Sequence, residues 1–296
     1  MDVKNVERIM MFLELAEQGS FTKATQKLGI SKGYMSKQIK TLEEELKTKL
    51  VIRSTRHMRL TAEGQRAYNH GLKIKHQIHA FRDNVQEENE QLSGLLRLTA
   101  PKMFTEAFLT DICYEFKQQH PDIRFELNSS FTKYNLIQDN IDLAIRATNT
   151  PPDNLVAHKL FSYRHILVAS PHYLSNLGSP ENEDDLLDHN CLTTLHQQNW
   201  PLKSSDPHVS GWLTTNENHV LKQQAMQGKG LVRMPSYYVR QEIEQGELEE
   251  VLSEQNSGQT NTFYLLYPQP VYPPAKLTTF IEFVKSYFEH SKYAFD

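Results

Sequence analysis

The sequence has little cysteine and no long hydrophobic run. Its 296 residues include two cysteines, Cys113 and Cys191, which are too few for a disulfide scaffold and favour a reducing cytoplasm as the compartment. A membrane span needs about 18 consecutive apolar residues, whereas each apolar run here ends after a handful. The N-terminal stretch carries Glu7, Arg8 and Glu14, so it lacks the uncharged core of a signal peptide. We therefore expect a soluble cytoplasmic protein.

Motifs for catalysis are also missing. The sequence contains no G-x-x-x-x-G-K-[ST], H-E-x-x-H, C-x-x-C or G-x-S-x-G pattern. The 13 histidines are dispersed, and the closest group, His70, His76 and His79, falls on a polar helix where a solvated face is the commoner outcome. We expect no enzymatic activity, no cofactor and no metal site. A redox switch between the two cysteines is an alternative, although a free cysteine is more often simply buried.

The net charge of −4 is the sum of two unlike parts. Residues 1–82 carry a net charge of +8, and residues 83–296 carry −12. A basic segment is typical of a module that binds a polyanion, while an acidic body repels nucleic acid and indicates a different task.

The basic segment has the pattern of a helix-turn-helix. Apolar residues from Val6 to Ala16 repeat at 3-4-3 spacing and predict a first helix. Ser20 is expected to cap a second helix that ends at Gly29, and Ser31 to cap a third. The two helices span about residues 21–40.

The outer face of the third helix is suited to a DNA groove, since Lys reaches guanine edges or phosphates and Gln pairs with adenine. Two short strands, 50–52 and 57–60, then predict a hairpin wing tipped with arginine. An alternative is a small helical domain whose basic face is merely solvated. The candidate DNA contacts are Thr22, Ser31, Lys32, Gly33, Tyr34, Ser36, Lys37, Gln38, Arg53, Arg56 and Arg59.

The segment from Phe12 to Gly64 resembles the N-terminal domain of the LysR-type transcriptional regulators. Thr25, Lys47 and Val51 depart from the family pattern, each at a packing or turn position. The matching residues are Phe12-x-x-x-Ala16, Gly19-Ser20-Phe21-Thr22-x-Ala24, Leu28-x-Ile30-Ser31, Ser36-x-Gln38-Ile39-x-x-Leu42-Glu43, Leu50-x-x-Arg53 and Leu60-Thr61-x-x-Gly64.

A long helix should follow over residues 62–92, capped by Thr61. Its small and apolar positions alternate at spacings of 4 and 3, as in a coiled-coil seam, although packing on the helix's own domain gives similar spacing. The resemblance implies an antiparallel helix pair, a dimer and hence a pseudo-palindromic operator. The seam positions are Ala67, Gly71, Ile74, Ile78, Phe81 and Val85.

From Leu95 the pattern alternates between strands and helices, which predicts βαβ units and a parallel sheet. Motifs such as Asp142-Leu143-Ala144-Ile145-Arg146 resemble the effector domain of the same family. We expect an α plus α/β fold: a winged helix-turn-helix (1–61), a linker helix (62–92) and a two-lobed domain of the periplasmic-binding-protein type. Lobe I comprises 93–165 and 266–296, and lobe II comprises 166–265. Crossing strands fall at about 163–169 and 263–268.

Ligands of open α/β sheets bind beyond the strand ends. Lys102, Arg146 and His196 favour a small organic anion, and Met103, Phe104 and Phe131 would supply apolar walls. Alternatively, Arg146 holds a salt bridge between elements, and His196 lies in an exposed loop. The candidate effector contacts are Ala100, Lys102, Met103, Ser129, Phe131, Arg146, Thr193 and His196.

These features together predict a LysR-type regulator that binds double-stranded DNA and a small-molecule effector, as a dimer through the linker helix and a tetramer through its effector domains. The alternative from another class is a small-molecule-binding or catalytic α/β protein whose basic head binds polyanions without sequence preference.

Overall fold

Three helices and a short hairpin form the N-terminal part of the structure, a computed structural model that describes residues 3–53, 58–86, 92–130, 136, 139, 141–268 and 273–289. The elements confirm the predicted winged helix-turn-helix. They are α1 (Val3–Gln18), α2 (Phe21–Leu28), α3 (Lys32–Glu45), β1 (Val51–Arg53), β2 (Met58–Leu60) and the long α4 (Ala62–Gln86).

The turn between α2 and α3 is set by its capping residues. Gly29 ends α2 with φ +65°, a left-handed conformation that glycine adopts without steric cost. Ser31 caps α3, since its hydroxyl accepts a hydrogen bond from the Tyr34 amide at 3.2 Å. Ser20 is the N-cap residue of α2, but the expected hydrogen bond from its hydroxyl to the helix is not among those of the described residues. Its backbone carbonyl instead accepts a hydrogen bond from the Ala24 amide.

Apolar side chains of α1, α2, α3 and β1 share one core, in which Phe12, Leu15, Met35 and Ile39 are almost fully buried. Two departures from the family pattern fit into this part of the fold. Val51 joins the core from β1. The hydroxyl of Thr25 donates to the Phe21 and Thr22 carbonyls, at 2.8 and 3.0 Å, so its burial leaves it satisfied.

The start of α4 is packed directly on the beginning of the wing. Thr61 caps α4 as predicted, by accepting from the Gly64 amide at 2.8 Å, and its hydroxyl donates to the Lys49 carbonyl at 2.6 Å. A Cβ at position 64 would lie 2.0 Å from the Leu50 carbonyl oxygen. Glycine is therefore required there for the helix and wing to meet.

The first positions of the predicted α4 seam are used within the domain itself. Ala67 packs on the N-terminal core, and a Cβ at Gly71 would lie 2.6 Å from the Leu13 side chain. At these two positions the structure supports the alternative of own-domain packing. Ile74 and Ile78 are half-buried, and the Phe81 and Val85 side chains lie outside the described residues, so the seam from Ile74 onward stays a prediction.

The second part of the chain alternates strands and helices. A π-helical turn (Thr105–Leu109) separates α5 from α6. The strands are β3 (Gly94–Ala100), β4 (Ile123–Ser129), β5 (Leu143–Ala147), β6 (Val156–Ala169), β7 (Cys191–Leu192), β8 (Leu231–Pro235), β9 (Glu249–Val251) and β10 (Thr260–Tyr267). The helices are α5 (Lys102–Phe104), α6 (Thr110–Gln119), α7 (Pro171–Leu177), α8 (Asn218–Met226), α9 (Ser236–Glu244) and α10 (Ala275–Glu289), with short 3-10 turns at Asp184–Asp188 and Ser253–Gln255.

The strand order is β4-β3-β5-β10-β6-β8-β7, with β9 also paired to β6. β3 runs parallel to β4 and β5, which confirms the predicted βαβ unit. β6 starts at Val156, earlier than the predicted crossing strand, because its first half pairs antiparallel with β10. Its second half pairs with β8 and β9. β6 therefore pairs with strands on both sides of the point at which the two lobes were predicted to meet, and β10 lies between β5 and β6.

Each lobe has its own apolar core. In lobe I, the Phe116 ring meets Phe280 of α10 edge-on, with centroids 5.0 Å apart. In lobe II, Trp200, Leu186 and Cys191 are almost fully buried in one cluster.

Contacts along the described chain separate two compact units. One contains Met1–Leu92, Lys133–Asp142 and Pro268–Thr278, and the other contains Ser93–Thr132, Leu143–Tyr267 and Thr279–Asp296. No helix of the described residues is long and apolar enough to span a membrane.

Candidate nucleic-acid interface and small-molecule site

One side of α3 is anchored in the core and the other is open to solvent. Met35 and Ile39 are completely buried. The candidate DNA contacts lie around them at helical spacing, so the same periodicity that buries the apolar residues exposes the polar ones. Exposed are Ser31, Lys32, Gly33, Tyr34 and Lys37, together with Thr22 on α2, while Ser36 and Gln38 are half-buried.

Gln38 is held by an arginine of another helix. Arg8 of α1 donates from Nε to Oε1 of Gln38 at 3.0 Å. The Nη1 atom of Arg8 donates to Asn5 at 2.9 Å and to Glu45, near the end of α3, at 2.5 Å. Sequence reasoning missed this contact, since Arg8 precedes Gln38 by 30 residues and no local pattern joins them.

A buried carboxylate fixes the start of the wing. Glu43 of α3 accepts from the amides of Leu50 and Val51, at 2.9 and 3.1 Å, and from Lys49 Nζ at 3.0 Å. Burial opposes its charged form, but the Lys49 and backbone hydrogen bonds outweigh burial and hold the pKa of Glu43 below its usual value. The ionised form of Glu43 therefore positions β1 against α3.

The predicted wing arginines are only partly described. Arg59 is exposed on β2, which pairs antiparallel with β1. Arg56 and the Arg53 side chain lie outside the described residues, and their roles stay predictions.

The predicted effector positions of lobe I gather at the ends of two parallel strands. Ala100 on β3 lies in register with Ser129 on β4, and the Ser130 amide donates to the Ala100 carbonyl at 3.0 Å. Ala100 is buried and Met103 half-buried. Phe131 lies outside the described residues.

Phe104 belongs to the lobe I core. Its side chain is completely buried, with its ring centroid 4.7 Å from that of Phe263. The prediction that it forms a wall of an open cleft is therefore wrong. The cause is α5, which turns Phe104 inward while Lys102 stays partly exposed.

Arg146 links the ends of neighbouring strands through hydrogen bonds. Its Nη2 donates to the Thr99 hydroxyl at 2.7 Å, and its Nη1 donates to the Ile145 carbonyl at 2.8 Å. The Thr99 hydroxyl in turn donates to the Asn128 carbonyl on β4 at 2.8 Å. These bonds give Arg146 a structural task, close to the alternative that the sequence left open.

Lys102 forms an ion pair across the lobes with Glu217, at the N-cap of α8. This hydrogen bond raises the pKa of Lys102 and lowers that of Glu217. His219 Nδ1 lies 3.4 Å from the same Glu217 oxygen. Glu217 follows Lys102 by 115 residues and was not among the predicted site residues, although its place at a helix N-terminus favours an anionic side chain.

A short chain of hydrogen bonds links Thr193 to this ion pair. The Thr193 carbonyl accepts from the Thr215 amide at 3.1 Å, and the Thr215 hydroxyl accepts from the Glu217 amide at 3.2 Å. Thr193 is buried, and its hydroxyl lies 3.0 Å from that of Thr214. His196 lies in an exposed loop, as in the alternative that the sequence left open.

A second contact also joins the lobes. The Tyr238 hydroxyl of α9 donates to Glu106 in the π-helical turn. Burial and this contact together raise the Tyr238 pKa far above its usual value. A pocket of about 490 Å³ lies beside it, with a charged lining that includes Asp111, Lys222 and Glu242.

Neither cysteine occupies a reactive environment. Cys113 on α6 and Cys191 on β7 are free and buried, and burial raises the pKa of each thiol to about 12. Within the described part of the chain, no group of three His, Cys, Asp or Glu residues is placed to hold a metal ion.

Two family models match most of the chain. Residues 6–65 match the bacterial regulatory helix-turn-helix protein, lysR family, and residues 89–289 match the LysR substrate binding domain.

Full-length relatives agree with these matches. The chain is 30% identical over 287 residues to the HTH-type transcriptional activator TtdR of Escherichia coli K12, covering 94% of this chain and 92% of that protein. It is 29% identical over 291 residues to the HTH-type transcriptional regulator CrgA of Neisseria meningitidis serogroup C, covering 95% and 96%. The solved structure of CrgA from Neisseria meningitidis superposes with a TM-score of 0.63 at 28% identity, covering 95% of this chain and 98% of that one.

Proposed function

The chain belongs to the LysR family of transcriptional regulators, and we propose that it recognises its operator through the exposed face of α3 and responds to a small molecule bound between its lobes. The observation that carries the DNA-binding part is the arrangement of α3: polar and basic residues surround the fully buried Met35 and Ile39. This face belongs to a segment with a net charge of +8.

The candidate contacts divide into two roles. Gln38 and Lys37 on α3 reach base edges, whereas the N-terminal turn of α3 and the wing residues Arg53, Arg56 and Arg59 hold phosphates. Glu43 supports this division, because it fixes the wing relative to α3 through the Leu50 and Val51 amides.

Dimerisation involves the part of α4 beyond Gly71. Ile74 and Ile78 are half-buried and continue the heptad spacing. A twofold dimer places two copies of α3 on half-sites about one helical turn apart, or a multiple of it, on a pseudo-palindromic operator. Effector-domain contacts then assemble two dimers into a tetramer.

The effector is a small organic anion that competes with Glu217 for Lys102. Lys102 lies just beyond the end of β3, where Ala100 is in register with Ser129, and its ammonium already holds one carboxylate. An anion of similar size can replace that carboxylate, while the lobes adjust around β6 and β10. A panel of short mono- and dicarboxylic acids, titrated calorimetrically, tests this assignment. The assignment fails if a binding acid binds the Lys102→Ala variant equally well.

The relatives that match this chain are regulators, and we propose that the chain likewise acts in the cytoplasm by binding alone, without catalysis. An electrophoretic shift assay, with excess competitor DNA and the region upstream of the protein's own gene, tests the function. Gln38→Ala should relax sequence preference. Arg59→Ala should weaken binding to all sequences and lower the salt dependence. Loss of wild-type binding at moderate competitor concentration would contradict sequence-specific regulation and favour a head that binds polyanions indiscriminately.

A further inference from the structure

The contact between Arg8 and Gln38 fixes the direction of the Gln38 amide. A guanidinium carries only hydrogen-bond donors, so the atom of Gln38 that faces Arg8 must be its carbonyl oxygen. The distance of 3.0 Å from Arg8 Nε to Oε1 agrees with this assignment. Arg8 therefore occupies one of the two lone pairs of this oxygen and turns the oxygen toward α1.

Arg8 is itself held in place. Its side chain is 14% exposed, and besides Gln38 it contacts Asn5 on its own helix and Glu45 on α3. A charged donor anchored by a carboxylate and an amide loses little further rotamer freedom when it binds Gln38. The orientation of the Gln38 amide is thus established before DNA binds.

The free arm of the amide, Nε2, carries two N–H donors, and no described residue accepts a hydrogen bond from it. In the major groove, guanine presents two acceptors, N7 and O6, whereas adenine presents one acceptor and one donor. The usual bidentate pairing of Gln with adenine needs both the oxygen and the nitrogen of the amide. With the oxygen turned toward Arg8, the amide presents its two N–H groups to the groove, and guanine is the base that satisfies both.

We propose that Arg8 is a positioning residue that sets base specificity: by holding the Gln38 carbonyl, it makes Gln38 select guanine instead of adenine. This inference rests on the proposed DNA-binding function of α3. It changes the expectation from the residue type alone, which favoured adenine.

The test is selection of binding sites from a duplex pool randomised over two half-sites one helical turn apart, with the full-length protein. The wild type should prefer guanine over adenine by roughly tenfold at one position in each half-site. Arg8→Met frees the Gln38 oxygen and should move that ratio at least roughly tenfold toward adenine, while Gln38→Ala should abolish preference at the same position.

Lys75→Met is the matched control. Like Arg8, Lys75 of α4 pairs with a carboxylate, here Glu17 of α1 at 2.7 Å, and within the described residues it bonds to no side chain of α3. The Lys75→Met variant removes one positive charge, as Arg8→Met does, and should leave the base preference unchanged. Thermal unfolding of each variant checks that the fold is intact.

A second variant covers the case in which Arg8→Met does not fold. Gln38→Glu keeps an acceptor for Arg8 but has no donor, so guanine should give way to cytosine, which presents an N–H donor. The inference is overturned if the wild type is specific but Arg8→Met keeps its guanine-to-adenine ratio, if Gln38→Ala changes no position, or if Gln38→Glu still selects guanine. A wild type with no preference at any position would instead overturn the proposed function together with this inference.

Discussion

Glu43 shows how a single side chain joins the recognition helix to the wing. One carboxylate oxygen accepts from two successive backbone amides, those of Leu50 and Val51, and the other accepts from Lys49. Without this carboxylate, the two amides would lie next to the core without a partner, at a cost of about 1–3 kcal/mol for each unsatisfied group. The position of the wing is therefore linked to the ionisation of Glu43.

The lowered pKa of Glu43 determines how stability should change with pH. A carboxyl with a lower pKa in the folded state stabilises the fold at neutral pH, and this contribution is lost as the pH falls through the folded-state pKa. Glu43→Gln should lower the free energy of unfolding by about 1–3 kcal/mol near neutral pH and weaken its acid dependence. Thermal unfolding over a pH series from neutral to acid measures both effects. The exposed Glu63, paired with Arg66 on α4, supplies the control variant Glu63→Gln, and an equal loss in both variants would contradict the role of Glu43.

The two thiols should be inert in the native protein. Cys113 and Cys191 are buried, and their pKa values of about 12 leave almost no thiolate at neutral pH. Labelling with a thiol reagent at neutral pH should be slow until the protein is denatured, and peroxide should leave the DNA affinity unchanged. Rapid labelling of either cysteine in the folded protein would revive the redox alternative.

Side-chain partners are what the sequence predicts least well. The spacing of Met35 and Ile39 predicts the position of Gln38 on the outer face of α3. The end of strand β3 predicts the position of Lys102. Their partners, Arg8 and Glu217, lie 30 and 115 residues away. Periodicity describes one element at a time, so contacts between elements require the folded chain.

At the scale of elements, the turn after α3 carries a local strain. Lys47 has φ +53°, in the left-handed region that costs a side-chain-bearing residue about 1–2 kcal/mol. Glycine would adopt this left-handed conformation without steric cost. Here the Glu43 carboxylate also accepts hydrogen bonds immediately beyond the turn, which helps the chain tolerate lysine.

Lys47→Gly should therefore stabilise the N-terminal domain. Glycine removes the backbone strain of the folded state, and this gain exceeds the cost of the greater conformational entropy of the unfolded chain. We therefore expect the free energy of unfolding to rise by about 0.5–1 kcal/mol and Tm to rise by about 1–4 °C. The control is Lys40→Gly, which removes the same side chain from the interior of α3 and should destabilise the protein by about 1 kcal/mol. Calorimetry compares the two variants, and a loss of stability for Lys47→Gly would show that the side chain, not the backbone, determines this turn.

Helix α4 shows that a helix can be predicted correctly while the partner of its apolar face stays open. Its existence and its start at Thr61 follow from capping and periodicity, and both are confirmed. The heptad spacing, however, is the same whether a helix packs on its own domain or on a partner. The packing of Ala67 on the N-terminal core and the close approach of Gly71 to Leu13 show that the first two seam positions are used internally.

At the scale of the whole effector domain, the lobes are joined by strands, by side-chain pairs and by aromatic packing. The buried Tyr237 of α9 packs against Phe108 and Phe161, with ring centroids 5.6 and 5.9 Å apart. The strands β6 and β10 pass between the lobes as covalent connections. The pairs Lys102–Glu217 and Glu106–Tyr238 hold the lobes through side chains that can separate. Under the proposed function, a ligand that replaces Glu217 at Lys102 shifts the balance between lobe arrangements.

Variants of the two partners in the Lys102–Glu217 pair should therefore have opposite effects on effector binding. Glu217→Gln removes the internal competitor and should raise the affinity for the anion about two- to fivefold, because a partly exposed ion pair is weak. Lys102→Met removes the binding charge and should abolish most of the affinity. Calorimetric titration with the acid that binds the wild type measures both.

Glu126→Gln is the control for this pair, since Glu126 forms an exposed ion pair with Arg97 on the same domain and should leave affinity unchanged. The lowered pKa of Glu217 adds a pH dependence. At neutral pH the carboxylate is ionised and competes fully for Lys102. As the pH falls and Glu217 takes up a proton, an acid that stays ionised should gain affinity in the wild type but not in Glu217→Gln. Parallel pH dependence in the two proteins would show that Glu217 does not compete for the site.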